Sequence, residues 1–566
     1  MAQRSGEQIE ERALLWALVL AAMLLSLLPL LRLLLEAVAP GGTLSGRAFE
    51  SVLSNPATWT ATGHSIVTAF GGTLLATVIG VAVGLVVALT DVRARSAYVF
   101  LFVLPLLLAP QVVALAWLQL FGPSSTLLKM IGMAPALGSR NPLYSPTGIV
   151  LLLGVQYAPL VFLTLRAGLR TLPNELVEAA LAGGARPFTV LRTIVLPLMT
   201  PPLVAGIALC FVSCLGNFGI PAFLGIPGGY LVLPTLIYQR LAGLGPSVLS
   251  DVAVLSMLIG VIAVTGLALQ DVMLGRRDFR IVTTSTTPRT WHLRRWRLPV
   301  EIALWSLSVL VLVVPLAALL LTSLVPAIGV ALTAASATLD NYRFVLFEHA
   351  AARRAFRNSF GLSIAAALLI AVLAVPLAYF MVWRRTRLLR WLNLIAELPY
   401  ALPGVVLAIA AILLFLKPLP VIGVTIYNTV WIILFGYLAR FLVLGLRPVV
   451  SGYHQLDRTL EEAAQIAGAR LLRRLRTVIL PLVAPAAAAG ALLIFLTAFN
   501  ELTISALLWS SGSETLGVTV FSFQQGGDTP YAAALAMLTV VVSVSLMLAT
   551  MLVAGRLPRG VLPWRD

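Results

Sequence analysis

The chain has 566 residues, of which 60% are hydrophobic and 11% charged, and its formal net charge is +17. A soluble globular domain would have a charged fraction of about 25%, so this composition excludes that class and indicates a polytopic membrane protein. The basic residues fall mainly in short segments between apolar runs, where they determine topology. We therefore expect membrane lipid, and no nucleic acid, as a partner.

Apolar runs near the bilayer-crossing length of about 20 residues predict an all-α protein with twelve transmembrane helices. Residues 1–274 hold the first six, residues 299–566 hold the other six, and the polar segment 275–298 is predicted to be a cytoplasmic linker. The predicted spans are Ala13–Val38, His64–Leu89, Ala97–Phe121, Thr147–Leu169, Leu191–Leu215, Val248–Met273, Pro299–Ser323, Asn358–Trp383, Trp391–Leu416, Val421–Leu446, Val478–Leu508 and Tyr531–Ala554.

The distribution of arginine and lysine predicts the orientation. Most basic residues fall in segments that are cytoplasmic if the amino terminus is cytoplasmic, which is the expected positive-inside pattern. One outer segment goes against it, because Arg353, Arg354 and Arg357 precede the eighth span. We expect a multi-pass membrane protein with both termini in the cytoplasm and a first span that is retained.

Two polar stretches, one in each half, align without a gap. EAALAGGARPFTVLRTIVLP begins at Glu178, and EEAAQIAGARLLRRLRTVILP begins at Glu461, so that Glu178 falls on Glu462 and Gly184 on Gly468. In each stretch, helix formers precede the glycine and a leucine-proline pair follows it. This pattern predicts a short helix, a sharp turn at the glycine and a second helix along the inner membrane surface.

Further matches support an internal duplication. LPLLLAPQVVAL at Leu104–Leu115 aligns with LPYALPGVVLAI at Leu398–Ile409 with one gap, and the prolines in both segments predict that the third and ninth spans are kinked or broken. An even number of spans and a cytoplasmic linker would give both halves the same orientation.

Sequence signals for catalysis are missing. The chain contains no GxxxxGK[ST] nucleotide-binding loop and no HExxH pattern among its four histidines. We therefore expect no enzymatic activity, no bound cofactor and no resident metal. Cys210 and Cys214 are interpreted as small packing residues.

The aligned stretches resemble the signature loop of permease subunits of bacterial binding-protein-dependent (type I) ABC importers, EAAxxxG followed after nine residues by IxLP, with Val478 in place of the isoleucine in the second copy. The resemblance covers essentially the whole chain and implies two fused permease domains. It implies two copies of an ATPase subunit, which binds ATP and Mg²⁺, and a periplasmic or lipid-anchored binding protein. The residues that the resemblance assigns to ATPase docking are Glu178, Ala179, Ala180, Gly184, Glu462, Ala463, Ala464 and Gly468.

Smaller motifs suggest a substrate. LPYALPG at Leu398–Gly404 and NELTISALLWSSGSETLGV at Asn500–Val518 resemble fused permeases of ferric iron uptake. Thiamine, polyamines, phosphonates and sugar phosphates are the alternatives from the wider group. A secondary transporter driven by an ion gradient is the alternative from another class.

Polar residues inside or beside the spans are the candidates for a translocation pathway. Glu501 aligns with Asn217 and follows Asn500, while Glu397 and Tyr400 lie beside the prolines of the ninth span. Ionisable groups in a membrane usually face a cavity or a partner, which makes these five residues pathway candidates. The alternative is that Asn217 and Glu501 are helix-end residues in headgroups or water. Glycines and prolines between Gly225 and Pro234 are expected to shape an outer loop.

Overall fold

The computed structural model describes residues 2–553 apart from 137, 244, 246, 276–290, 385, 419–422 and 424. Within these residues the chain is helical and forms no strand beyond one isolated bridge between Thr90 and Trp291. Ten described helices are long and apolar enough to cross a bilayer, or up to thirteen if each sharply bent helix pair is counted as one span. The prediction of an all-α polytopic protein is confirmed.

In the described part of the first half, the chain forms helices α1 to α13. They are Ile9–Val38 (α1), Arg47–Leu53 (α2), Pro56–Leu89 (α3), Arg95–Leu107 (α4), Pro110–Phe121 (α5), Thr126–Met130 (α6), Pro146–Leu169 (α7), Asn174–Ala182 (α8), Pro187–Leu198 (α9), Thr200–Leu215 (α10), Gly219–Gly228 (α11), Leu233–Leu241 (α12) and Val248–Leu274 (α13).

The described part of the second half repeats this order. Its helices are Arg294–Ser323 (α14), Asp340–Arg343 (α15), Ala350–Arg384 (α16), Arg387–Ala401 (α17), Gly404–Phe415 (α18), Val430–His454 (α19), Thr459–Ile466 (α20), Leu471–Phe499 (α21), Thr503–Leu508 (α22), Leu516–Gly526 (α23) and Thr529–Val553 (α24).

Each half is built on three packed helices: α3, α7 and α10 in the first half, and α16, α19 and α21 in the second. Small residues allow the backbones to approach closely, as is usual where membrane helices associate. A Cβ atom on Gly490 would lie 3.1 Å from the Cα of Gly445. Phe70, Leu74 and Val78 on α3 are exposed on the outside of the protein, as expected for a surface that contacts lipid.

Local sequence explains where α3 and α7 begin. Asn55 Oδ1 accepts a hydrogen bond from the N–H of Ala57 (2.9 Å), and Pro56 occupies the first helical position. Ser145 and Pro146 start α7 in the same way, with Ser145 Oγ accepting from Gly148 (3.2 Å). A polar cap followed by proline is favourable, because the first N–H groups of a helix have no partner within the helix. Proline has no N–H, so it leaves no donor unpaired at this position.

The third and ninth spans are broken, as the sequence predicts. Helix α4 ends before Leu108 and α5 begins at Pro110, while α17 and α18 meet at Leu402–Pro403 with a bend of 108°. Proline at the start of the second segment has no N–H to donate to a carbonyl of the preceding helical turn, so the helix is interrupted there. The carbonyl groups at each break therefore need other partners.

The two halves interlock through the first helix of each. Helix α1 packs on α18 of the second half, and α14 packs on α5 of the first half. Carboxylates near the starts of these helices also reach across, because Glu11 lies 2.6 Å from Arg384, and Glu301 accepts a hydrogen bond from the N–H of Arg93 (2.8 Å). The duplication therefore forms one crossed assembly of the two halves.

Several predicted spans have different boundaries, and the second and eighth begin at Pro56 and Ala350 rather than at His64 and Asn358. The tenth span, predicted over Val421–Leu446, forms a helix over Val430–His454, because the helix continues to the buried Tyr453, whose hydroxyl donates to the carbonyl of Val375 (2.9 Å). The eleventh, predicted over Val478–Leu508, ends as a helix at Phe499. Glu501 then starts the separate helix α22, because its carboxylate accepts the backbone N–H groups of that helix.

Within the segment from Gly225 to Pro234, residues 229–232 connect α11 to α12, which meet at a bend of 78°. Pro227 and Gly229 at this turn are exposed, whereas Phe223, Leu224 and Leu233 beside it are buried. That the turn faces the outer side of the membrane stays a prediction.

Most of the predicted linker 275–298 lies at residues 276–290, outside the described residues, as do 554–566 with the last arginines. From Trp291 onward the linker returns to the end of α3, where the N–H of Trp291 donates to the carbonyl of Leu89 (2.7 Å). The N–H of Leu293 donates to Asp91 (3.0 Å) and lowers the pKa of that carboxyl.

Candidate functional site

The first signature stretch forms a helix, a left-handed turn and a second helix, which we call paired loop 1 (residues 174–190). After α8, the N–H of Gly184 donates to the carbonyl of Leu181 (3.0 Å) and that of Ala185 to Ala180 (3.0 Å). This pair of bonds is the Schellman motif, which requires a residue with positive φ. Gly184 has φ of 85°, so glycine is needed there for its backbone conformation.

Paired loop 2 (residues 459–474) has the same geometry. The N–H of Gly468 donates to the carbonyl of Gln465 (2.9 Å), that of Ala469 donates to Ala464 (3.0 Å), and Gly468 has φ of 81°. At its start, the N–H of Thr459 donates to Asp457 (3.0 Å) and lowers the pKa of that carboxyl. The sequence prediction of helix, glycine turn and helix is confirmed in both halves.

Most predicted docking residues are accessible. Glu178, Ala179 and Gly184 are exposed and Ala180 is half-buried, and the four aligned residues of paired loop 2 have the same exposure classes: Glu462, Ala463 and Gly468 exposed and Ala464 half-buried. Glu462 makes an exposed pair with Arg458 within its own helix (3.2 Å), and such pairs contribute little to stability. These side chains are therefore available for contacts with another molecule.

Large apolar side chains are exposed at matching positions of both loops. Leu176 aligns with Leu460, and they are 45% and 47% exposed; Phe188 aligns with Leu472, and they are 72% and 55% exposed. Ile466, at the end of α20, is 88% exposed. Aligned exposed apolar residues in two copies are typical of a surface that a partner covers.

A wide π-helical turn follows each loop in the same register, over Leu191–Val195 and Leu475–Ile479. Similar turns occur at Met23–Leu27, Val309–Val313, Phe344–Glu348 and Phe380–Arg384, so the matched register distinguishes this pair. In the first half the chain passes through a bend of 65° after the turn before it enters α10, and in the second half the turn continues into the rest of α21.

The two loops differ in the buried residues that attach them to the rest of the protein. Paired loop 2 rests on Glu461 and Arg474, which are both buried and 3.1 Å apart, and the hydroxyl of Tyr379 donates to Glu461 (3.1 Å). At the aligned positions paired loop 1 has the buried residues Val177 and Val190, which belong to one apolar cluster.

The first helix of the protein also reaches paired loop 2. Glu10 Oε1 accepts a hydrogen bond from the N–H of Leu472 (3.0 Å) at the start of α21. A carboxylate at this point is favourable, because the first N–H groups of a helix lack intrahelical partners and carry a partial positive charge. This contact also places the start of α1 beside paired loop 2.

Asn217 and Glu501, which are aligned, have one structural role in common. Asn217 Oδ1 accepts the N–H of Ile220 (2.9 Å), and Glu501 Oε1 accepts the N–H of Ile504 (2.7 Å), so each caps the short helix that follows it. Asn217 also donates to the hydroxyl of Tyr157 (2.9 Å). Both residues lie at helix ends, between α10 and α11 and between α21 and α22, where Asn217 is buried and Glu501 is half-buried.

A second aligned pair, which the sequence analysis did not assign to the site, holds the two helix breaks. Gln156 Nε2 donates to the carbonyls of Pro105 (2.7 Å) and Leu108 (3.3 Å), and the guanidinium of Arg440 donates to the carbonyl of Leu402. Non-helical backbone at membrane depth requires such partners. The register that aligns Asn217 with Glu501 also aligns Gln156 with Arg440, and this was the signal available in the sequence.

Residues next to the caps join the halves at the breaks. Asn500 Nδ2 donates to the carbonyl of Leu107 in the first half (3.1 Å), and its aligned residue, Gly216, packs against Pro403 of the second half. Asn217, Asn500 and Glu501 thus lie around the junction, and Tyr400 lies in the last turn of α17, two residues before Leu402 at the break.

Glu397 lies apart from these contacts. It is 3.8 Å from Arg447, and both side chains are largely exposed. Within the part of the chain that the structure describes, no group of three or more His, Cys, Asp or Glu side chains could hold a metal ion. Cys210 and Cys214 are buried and unbonded, with their sulfurs 4.0 Å apart.

Two repeated halves that meet at broken helices, each with an exposed helix-turn-helix loop, define a duplicated membrane permease. Two segments of the chain, residues 76–273 and 372–562, match the family model described as "Binding-protein-dependent transport system inner membrane component". The chain therefore belongs to this family of ABC transporter permeases and contains its domain twice.

Curated relatives agree with this assignment. The chain is 30% identical to the probable ABC transporter permease protein y4fN of Sinorhizobium fredii, over 87% of this chain and 86% of that protein. It is 25% identical to the ferric transport system permease protein FbpB of Actinobacillus pleuropneumoniae, over 82% of this chain and 66% of that protein. It is 32% identical to the molybdenum transport system permease protein ModB of Mycobacterium tuberculosis, over 34% of this chain and 72% of that protein.

Proposed function

We propose that this protein forms the translocation pathway of an ATP-driven importer, and that paired loops 1 and 2 each bind one copy of a separate ATPase subunit. The observation that carries the proposal is the repetition of one exposed surface: the same glycine turn, with Leu176 and Phe188 matched by Leu460 and Leu472. ATP and Mg²⁺ would be bound by the ATPase subunits, and this chain would contribute no catalytic group.

Energy transfer follows from the connection between loops and spans. Closure of the two ATPase subunits would move the paired loops toward each other. Each loop continues through a wide turn into a span that packs in the three-helix core of its half. The halves would therefore rock as units, because packed helix groups move as rigid bodies more readily than they deform, and the junction at the two helix breaks would open.

The proposed orientation places both paired loops, the linker and both termini in the cytoplasm of a bacterial inner membrane. The basic residues support it, and so does the contact of Glu10 with Leu472, which puts the beginning of α1 and paired loop 2 at the same end of the protein. A periplasmic or lipid-anchored binding protein would then deliver the substrate to the opposite face.

Ferric iron is the substrate that we propose first, because the long FbpB match covers both halves of the chain. The ModB match supports a different small solute, one that contains molybdenum. Thiamine, polyamines, phosphonates and sugar phosphates remain alternatives from the motif resemblance. Family membership favours all of these over a secondary transporter driven by an ion gradient.

Reversing the charge of both docking glutamates tests the proposal. We expect the double variant Glu178→Arg and Glu462→Arg to insert in the membrane normally and to lose ATPase co-purification and uptake. The matched control is Arg343→Gln, which removes an exposed ion pair with Glu348 away from the loops. Co-purification of the double variant with the ATPase at the wild-type level would refute the docking assignment.

A further inference from the structure

Arg440 is a charged residue at the central junction, and the hydrogen bond that it donates at the helix break does not require a charge. It donates a hydrogen bond to the free carbonyl of Leu402, and in the first half the neutral Gln156 performs the same task at Leu108. Likewise, the neutral Asn217 caps its helix as the charged Glu501 does. The first half thus shows that amide side chains are sufficient to hold both breaks.

Accessibility also separates the two halves. Gln156 and Asn217 are buried, whereas Arg440 and Glu501 are half-buried and keep accessible surface, although Ala439 and Phe441 beside Arg440 in α19 are buried. A charged side chain with accessible surface inside a membrane protein usually faces a water-filled cavity or pathway.

The carboxylate of Glu501 and the guanidinium of Arg440 differ in how many hydrogen bonds they could still form with another molecule. Both oxygens of Glu501 accept backbone N–H groups, from Ile504 (2.7 Å) and Ser505 (3.1 Å). A guanidinium has five N–H donors, and Arg440 makes one hydrogen bond, to Leu402. The guanidinium of Arg440 therefore keeps N–H donors without a partner among the described residues of the protein, and the residue retains accessible surface.

We propose that Arg440 binds an anionic oxygen of the transported solute as it passes the junction between the halves. The inference rests on the proposed function and specifies the chemistry of the pathway. Two sources would supply such an oxygen: a free oxyanion, and a ferric ion that travels with anionic oxygen ligands. Both would form charge-assisted hydrogen bonds with the guanidinium, which are stronger than those of neutral donors.

The experiment uses the complete importer in cells from which the native gene has been deleted. Molybdate and ferric citrate are the uptake probes that carry anionic oxygens, and trehalose is the probe that carries none. We expect wild type to import molybdate or ferric citrate. Replacing Arg440 by Gln should lower that uptake about tenfold or more, because a charged hydrogen bond to the solute is lost. Arg440→Lys should retain part of the uptake, and molybdate and ferric citrate together distinguish the two sources.

The double variant Arg440→Gln with Glu501→Asn reproduces the residues of the first half and is the decisive comparison. Continued loss of uptake in this variant, with ATPase co-purification unchanged, supports solute binding by Arg440. Recovery to the wild-type rate would show that Arg440 only balances the charge of Glu501 and would overturn the proposal. Arg343→Gln, which removes an exposed arginine paired with Glu348 (3.1 Å), is the control and should not lower uptake.

Uptake of trehalose, which carries no anionic oxygen, without uptake of either anionic probe would also overturn it. Failure of the proposed function is recognised separately, as an absence of ATPase co-purification with the wild-type chain.

Discussion

Glu461 and Arg474 form an ion pair of 3.1 Å beneath paired loop 2, where both side chains are buried. At the aligned positions of paired loop 1, Val177 and Val190 are buried as well. The same two aligned positions thus hold a pair of charged side chains in the second half and a pair of valines in the first half. Both solutions avoid a single buried charge without a partner, which is the costly state.

This comparison predicts the stability of variants. Glu461→Val and Arg474→Val should each destabilise the protein by about 3 kcal/mol or more, because each leaves a buried charge uncompensated. The double variant should recover most of the loss, since it reproduces the first half. Thermal unfolding in detergent would rank the three, and a double variant less stable than either single one would contradict the prediction.

The positive φ of Gly184 and Gly468 gives a second prediction. A Cβ atom at either glycine would meet no atom within 4 Å, so the cost of alanine is conformational, about 1 kcal/mol for an L-residue in the left-handed region. We expect Gly184→Ala and Gly468→Ala to misorient the loops and weaken ATPase binding. Gly183→Ala is the control, because φ at Gly183 is −74°; an equal effect of this control would argue against the conformational explanation.

The exposed apolar residues predict unequal docking. Replacement of Leu176 or Leu460 by aspartate should weaken ATPase co-purification without lowering the melting temperature, because both side chains are largely exposed. Paired loop 2 also presents Ile466, where paired loop 1 has the smaller Ala182, and Arg473, where paired loop 1 has the neutral Thr189. We therefore expect paired loop 2 to bind its ATPase subunit more tightly. Equal losses from matched substitutions would contradict this expectation.

The cap at Glu501 gives a fourth prediction. Glu501→Ala leaves the N–H groups of Ile504 and Ser505 without their acceptor and should cost about 1 to 3 kcal/mol. Glu501→Asn should retain most of the stability, because Asn217 caps the equivalent helix in the first half. The melting temperatures of the two variants would measure the difference, and identical values would show that the cap does not stabilise α22.

The paired loops were predictable because their signals are local. A glycine at the end of a helix, with small residues before it, determines a left-handed turn within a few residues, and the structure has this turn at Gly184 and Gly468. The breaks of the third and ninth spans were predictable for the same reason, since proline acts on its own turn of helix.

The sequence by itself determined the class of protein, the duplication, the broken spans and the two glycine turns, because hydropathy, periodicity and backbone preference act over short distances. Only the tertiary structure decided that Gln156 and Arg440 hold the breaks, that Asn217 and Glu501 cap buried helices, and that Glu397 lies with Arg447. It also decided that Glu461 is paired with Arg474. A polar residue in a span must find a partner, and the position of that partner depends on how distant helices pack.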